Sequence, residues 1–255
     1  MSRILAIARN TVREVVRERV VLVLALFGVA VVIASQVFSP LAMGEGRKVV
    51  TDFGLAGAAV LATMLAIFLG SSLLYKELDR RTIYAVMAKP IRRADFLFGK
   101  FAGLWATTSL LLAGMTGIVL AVVTVAYHDT PWVVLGALLL AIFELAVVTA
   151  IVVLFSSFTT PALTAFFAVA TVVAGHFAED LHYFGGQGGS AVVSGITEAV
   201  YWLLPHMALF NARGLVAHGI AVEPERLAFA FAYAALYAAA ALTAAGAIFE
   251  RREFR

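Results

Sequence analysis

The sequence predicts an all-α polytopic membrane protein, and three observations predict it. The first is composition: of 255 residues, 62% are hydrophobic and only 14% charged, against roughly 25% charged in an ordinary soluble domain. The second is a set of uncharged runs at 20–44, 53–75, 101–128, 145–178 and 227–249, each reaching the ~20 residues that a helix needs to cross the hydrocarbon. These runs are continuous and rich in Leu, Ala and Val, whereas barrel strands would alternate over about ten residues. The third is the placement of charge. Of the 19 basic residues, 15 fall in three clusters, Arg3 to Arg19, Lys76 to Lys100 and Arg251 to Arg255, and the other loops hold only Arg47, Lys48, Arg213 and Arg226.

By the positive-inside rule the three clusters are cytoplasmic, so both termini lie inside and the number of crossings is even. Six are expected, near 20–38, 53–75, 101–127, 132–157, 161–177 and 227–249, the fourth accepting Glu144 within it. The net charge of +3 would suggest nucleic acid in a soluble chain, but here the charge sits where it orients helices and meets lipid headgroups. The partners expected from composition are membrane lipids, with no nucleic acid. The chain reads as one transmembrane domain over 1–255, multi-pass in the plasma membrane, which in a bacterium is the inner membrane. The first apolar run exceeds the about 7–15 residues of a signal peptide's hydrophobic region and no convincing small-residue cleavage site follows, so its retention is expected. With no cysteine in the chain, disulfides and thiolate metal sites are excluded.

Residues 1–19 place Ile4, Ile7, Ala8, Thr11, Val12, Val15 and Val16 on one helical face and Arg9, Arg13 and Arg17 on another. This suits an N-terminal amphipathic helix lying on an anionic leaflet, or a solvated start to the first crossing. The region 178–225 is expected outside. Within it, residues 196–211 have an uncharged stretch too short to span, interrupted by Pro205, and suit a short re-entrant or interfacial element before the sixth helix. A seventh crossing there would put Arg251 and Arg252 outside, against the charge asymmetry. The run 185–190, GGQGGS, lacks the Lys and following helix of a phosphate loop and reads as a flexible linker.

The stretch 76–100 is the only long cytoplasmic loop, about two short helices in length, with Pro90 as a break between them. Ile83, Val86 and Met87 recur at helical spacing, and Phe96, Leu97 and Phe98 lead back into the membrane. Apolar anchors beside charges suit either a docked protein partner or an interfacial hairpin held by lipid phosphates.

A resemblance bears on that choice. Glu77, Thr82, Lys89-Pro90-Ile91-x-Arg93 and Gly99-Lys100 resemble the cytoplasmic loop of type-2 ABC transporter permeases, the exporter-type ABC-2 family. So do ILAIARNTVREVVRERVVLVLALF near the start, LFSSFTTPA at 154–162, LLPHMALFNAR at 203–213 and FERREF at 249–254, in the same order. One departure is Arg81, where family members often carry Gly. The resemblance implies that 76–100 holds a coupling helix between the second and third spans. It also implies a separate ATP-binding subunit as partner, a homodimer around a shared pathway, and export. Glu77, Arg80, Arg81 and Thr82 are then expected to contact the partner or fix the loop, with Pro90 and Arg93 shaping its turn.

The chain has no G-x-x-x-x-G-K-[ST] motif, since Gly99-Lys100 is followed by Phe101. It is therefore expected to bind no cofactor itself, with ATP and Mg held by the partner. No His-Glu-x-x-His or Gly-x-Ser-x-Gly motif occurs, and Ser156-Ser157 have no neighbouring His in sequence, so the chain reads as a transport subunit and not an enzyme. Two readings from other classes stay open: a membrane anchor that recruits a cytoplasmic protein, and an ATP-independent proton-coupled transporter using Glu144. A charge at the depth of Glu144 costs about 2.5–3.5 kcal/mol on insertion scales. It is expected to line the pathway, to bind a proton, or to meet a helix neighbour as a protonated or hydrogen-bonded carboxyl. In the segment HFAEDLH, His176 lies four residues from Asp180 and Glu179 three from His182. These four are weak metal candidates, set against a simple polar cap on the fifth span. Substrate identity is not encoded in any of these features.

Overall fold

The computed structural model describes residues 11–12, 20–38, 45–79, 93–128, 130–187 and 191–251. Among them every regular element is a helix. In chain order these are α1 (Val20–Phe38), α2 (Gly46–Asp79), α3 (Arg93–Tyr127), α4 (Val134–Ser156), α5 (Pro161–His176), α6 (Ala178–Gln187), α7 (Ala191–Leu203), a 3-10 turn (Met207–Phe210), α8 (Arg213–Ala217) and α9 (Pro224–Arg251). Helices dominate because hydrocarbon offers no partner to a backbone N–H or carbonyl, and a helix satisfies both internally.

α4 is the axis of the bundle. It packs against α2, α3, α5 and α9, and every residue from Glu144 to Val153 is buried. A helix that is apolar all round suits a central position, and Glu144 is the one charged residue in it. α2 packs tightly on this axis at Gly70, where an added Cβ would lie 2.6 Å from Val152 of α4 and 2.7 Å from Leu104 of α3. Around the rim, large apolar side chains such as Leu110, Phe166 and Leu236 are exposed, the inverse of a soluble surface and suited to a bilayer.

Among the described residues α2, α3, α4 and α9 are long and apolar enough to cross a membrane. α5 and the start of α6, joined through a 55° bend, would count as a fifth crossing. α2 and α3 have 34 and 35 residues, about 50 Å each and well beyond the ~30 Å of hydrocarbon. Both helices therefore run into the expected loop at 76–100: Lys76 to Asp79 continue α2, and Arg93 to Lys100 belong to α3. An uncharged run marks where hydrocarbon ends, but the helical hydrogen bonds continue past it. The second crossing likewise begins in a helix that starts at Gly46, earlier than the uncharged run. Of the expected N-terminal amphipathic helix, only Thr11 and Val12 are described, and both are helical; the rest lies outside the described residues.

The turn after α4 consumes its own hydroxyls. Ser157 Oγ donates to the Leu154 carbonyl at 2.6 Å, Thr159 Oγ1 to Phe155 at 2.8 Å, and Thr159 meets Thr164 at 2.6 Å. Pro161 then starts α5, where its missing N–H costs nothing. α5 has only 16 residues, about 24 Å, and stops short of the far end of α4.

The chain fills the space above it. The expected outer loop at 178–225 is mostly helical, with α6 and α7 packed as a hairpin. The segment at 196–211 divides at Pro205: Trp202 and Leu203 are exposed, while Met207 and Phe210 are buried against α4 and α5. We call 204–217 the cap. It seats on Gly175, where an added Cβ would come within 2.5 Å of the Pro205 carbonyl oxygen and 2.9 Å of Met207. Gly175→Ala is expected to cost about 1–3 kcal/mol, the range for overpacking, seen as a lower thermal midpoint in detergent. Gly114, with nothing within 4 Å of its would-be Cβ, serves as the control: Gly114→Ala is expected to leave that midpoint unchanged or raise it.

Candidate functional site

The polar residues of the membrane interior converge beneath the cap. Glu144, 6% exposed, lies about 18 Å up α4 from Ser156, and His176 lies about 22 Å up α5 from Pro161. The two antiparallel helices thus bring both side chains to one height. His176 Nε2 is 3.4 Å from Glu144 Oε1, and His176 Nδ1 is 2.9 Å from the Val172 carbonyl oxygen. The histidine expected at the surface as a polar end to the fifth span is drawn inward because α5 is short and the cap closes over it.

Beside this pair lies a cavity of about 10 Å³, room for about one water. Its polar lining comes from Thr116 of α3, Glu144 of α4 and Arg213 at the start of α8, and its apolar lining includes Leu55 of α2 and Phe210 of the cap. Thr116 is 1% exposed, and its hydroxyl has no hydrogen-bond partner. Other threonines of α3 behave differently: Thr107, Thr108 and Thr124 each donate to the carbonyl four residues earlier at 2.8–3.0 Å. Arg213 is partly buried, and its Nε donates to Asn211 Oδ1 at 3.1 Å.

The cap is held by polar groups of α9. One Arg226 Nη donates to the carbonyls of Leu209 and Asn211 at 3.1 and 3.0 Å, and its Nε to Leu209 at 3.3 Å. The His206 backbone N–H donates to the Tyr233 hydroxyl at 2.9 Å. A non-helical backbone at this depth is tolerated because such groups answer its carbonyls and N–H groups.

A second feature faces sideways. Phe98, Phe101 and Trp105 of α3, Phe143 of α4 and Phe231 of α9 line an apolar groove of about 230 Å³ floored by alanines of α9. The Trp105 indole donates to the Ile142 carbonyl at 2.9 Å, which removes the one strong donor on the groove's aromatic wall.

The remaining expected site residues are dispersed. Glu179 and Asp180 are exposed on α6, and His182 stacks on Tyr201 with ring centroids 4.7 Å apart. The bend at Phe177 parts His176 from α6, so the four-residue spacing to Asp180 does not make a common face. Among the described residues no group of three or more His, Asp or Glu side chains is placed to hold a metal. Glu77 falls in α2 and Arg93 opens α3; Arg80, Arg81, Thr82 and Pro90 lie outside the described residues. Glu144 was legible in the sequence as a lone charge, but Thr116, Arg213 and His176 carried no linear signal linking them to it.

Fold and site together define a multi-pass helical membrane protein with a buried polar cluster under a partly non-helical cap. The family model described as ABC-2 family transporter protein matches residues 5–254, and the chain belongs to that family, as a permease component of ABC transporters. No curated protein matches the chain. Arg226→Ala is expected to weaken the cap by about 1.5–3 kcal/mol, the weight of hydrogen bonds to a charged group. Faster amide hydrogen exchange at 204–217 and a lower thermal midpoint would register it.

Proposed function

We propose that this chain is the membrane-spanning permease subunit of an ATP-driven exporter in the plasma membrane, the inner membrane in a bacterium. It crosses six times, with α1, 19 uncharged residues packed against α2 and α3, as the first crossing and α5 with its bend as the fifth. Both termini and the 76–100 segment lie on the cytoplasmic side, where the basic residues cluster. Two copies form the pathway, and a separate ATP-binding subunit carries ATP and Mg.

The observation that carries this reading is the reach of α2 and α3. Both helices extend past the hydrocarbon toward the segment whose residues resemble the family's coupling loop. Two continuous helices anchored in the bundle are stiff arms, suited to carrying a displacement of the partner into the membrane. In this reading Glu77, Arg80, Arg81 and Thr82 touch the ATPase or fix the loop, while Pro90 and Arg93 shape its turn. The cavity beneath the cap would lie at the end of the bundle away from the ATPase.

The test is co-expression with the ATP-binding protein of the same operon. Arg81→Glu combined with Arg93→Glu is expected to reduce both co-purification and the ATPase activity of the complex. Undiminished co-purification with undiminished activity would overturn the coupling role. Transport that persists with no ATPase present would favour the proton-coupled carrier instead.

A further inference from the structure

Four helices each send one polar side chain to the same place: Thr116 from α3, Glu144 from α4, His176 from α5 and Arg213 from α8. The geometry restricts where protons lie among them. His176 Nδ1 faces the Val172 carbonyl at 2.9 Å, and a carbonyl only accepts, so Nδ1 carries a proton. Nε2 then meets Glu144 Oε1 at 3.4 Å either as a bare lone pair or as a second N–H. A bare nitrogen against an ionised carboxylate would set lone pair against lone pair in an interior that screens poorly. One proton removes that conflict, either on Nε2 as imidazolium beside carboxylate or on the carboxyl as donor to neutral imidazole.

We propose that Glu144 and His176 form a proton-binding site, completed by a water held between the Glu144 carboxyl, the Thr116 hydroxyl and Arg213, whose occupancy governs how firmly the cap is held. The cavity has room for about one water, and the Thr116 hydroxyl, spared from the bond back to its own helix, is a partner such a water needs. With that proton on Nε2, the ionised carboxylate lies beside His176 and faces Arg213 across the water, tying α5 and α8 to α4. A second proton neutralises Glu144, leaves the imidazolium and Arg213 without an anion between them, and loosens the cap.

Among the described residues lining the cavity, Glu144 is the one acidic side chain. α2 contributes Leu55 and Ala59 to the cavity, and α3 contributes Leu112 and Thr116. α9, which also packs on α4, turns Tyr233 and Tyr237 toward the core. Tyr233 is engaged by His206 of the cap, which also sits edge-on to Tyr201. The inference concerns this chain alone and stands whether or not an ATPase binds it.

Infrared difference spectra of the full chain in nanodiscs, taken between neutral and acid pH, read a carboxyl gaining its proton. A band is expected that Glu144→Gln removes, that Thr116→Val shifts, and that Thr116→Ser leaves near the wild-type position. His176→Gln is expected to displace the pH at which the band appears. The protection factors of amides at 204–217, corrected for the intrinsic pH dependence of exchange, should fall at least about tenfold in the acid form, the weight of one hydrogen bond to a charged group. If Glu144→Gln does not yield folded protein, the valine and serine variants of Thr116 decide the matter in the same spectra. A titrating band that survives Glu144→Gln, a band that Thr116→Val leaves in place, or cap protection factors indifferent to pH would overturn the proposal.

Discussion

A single carboxyl on the central helix sets the terms for the capped end of this bundle. Hydrocarbon provides neither hydrogen bonds nor counter-charge, so Glu144 at the centre of α4 has to find both within the protein. Around it the fold sets an imidazole from α5 at 3.4 Å and, across a cavity of water size, a hydroxyl from α3 and a guanidinium from α8. Each donor comes from a different helix, so the position of Glu144 bears on how all of them are packed.

The shortness of α5 makes the assembly possible. A helix continuing to full bilayer length would leave His176 at the same height but fill the space that the cap occupies. Because α5 ends early, the chain must return into the space above it, and it does so with irregular backbone around Pro205. That backbone is satisfied locally by Arg226 and Tyr233 and seats on Gly175, where no side chain stands in the way. The cap is thus a packed part of the membrane domain, while the α6–α7 hairpin leading to it leaves aromatic residues such as Tyr183, Phe184 and Trp202 exposed, in keeping with a membrane–water interface.

The other half of the bundle follows simpler rules. Apolar faces of α2, α3, α4 and α9 interlock through small residues, as where Gly70 admits Val152 and Leu104. The sideways groove edged by Phe101, Trp105 and Phe231 opens along one of these seams, and its indole is already satisfied within the protein.

Much of this architecture was legible from residue order. Apolar runs of spanning length declare helices because the solvent around them is hydrocarbon, and α2, α3, α4 and α9 lie where those runs lie. Family membership was legible too, from weak motifs in the right order. Helix ends were less so, since charge marks the membrane surface but does not stop a helix, and α2 and α3 continue through it. Glu144 stood out by its cost, yet its partners did not. His176, Thr116 and Arg213 stand 32, 28 and 69 residues from it in the chain, and no periodicity reaches across separate helices. Sequence alone determined that the chain spans a membrane as helices and that a costly carboxyl sits within one of them. Only tertiary structure decided what that carboxyl meets, because the length of α5 and the fold of the cap fix which distant side chains share its depth.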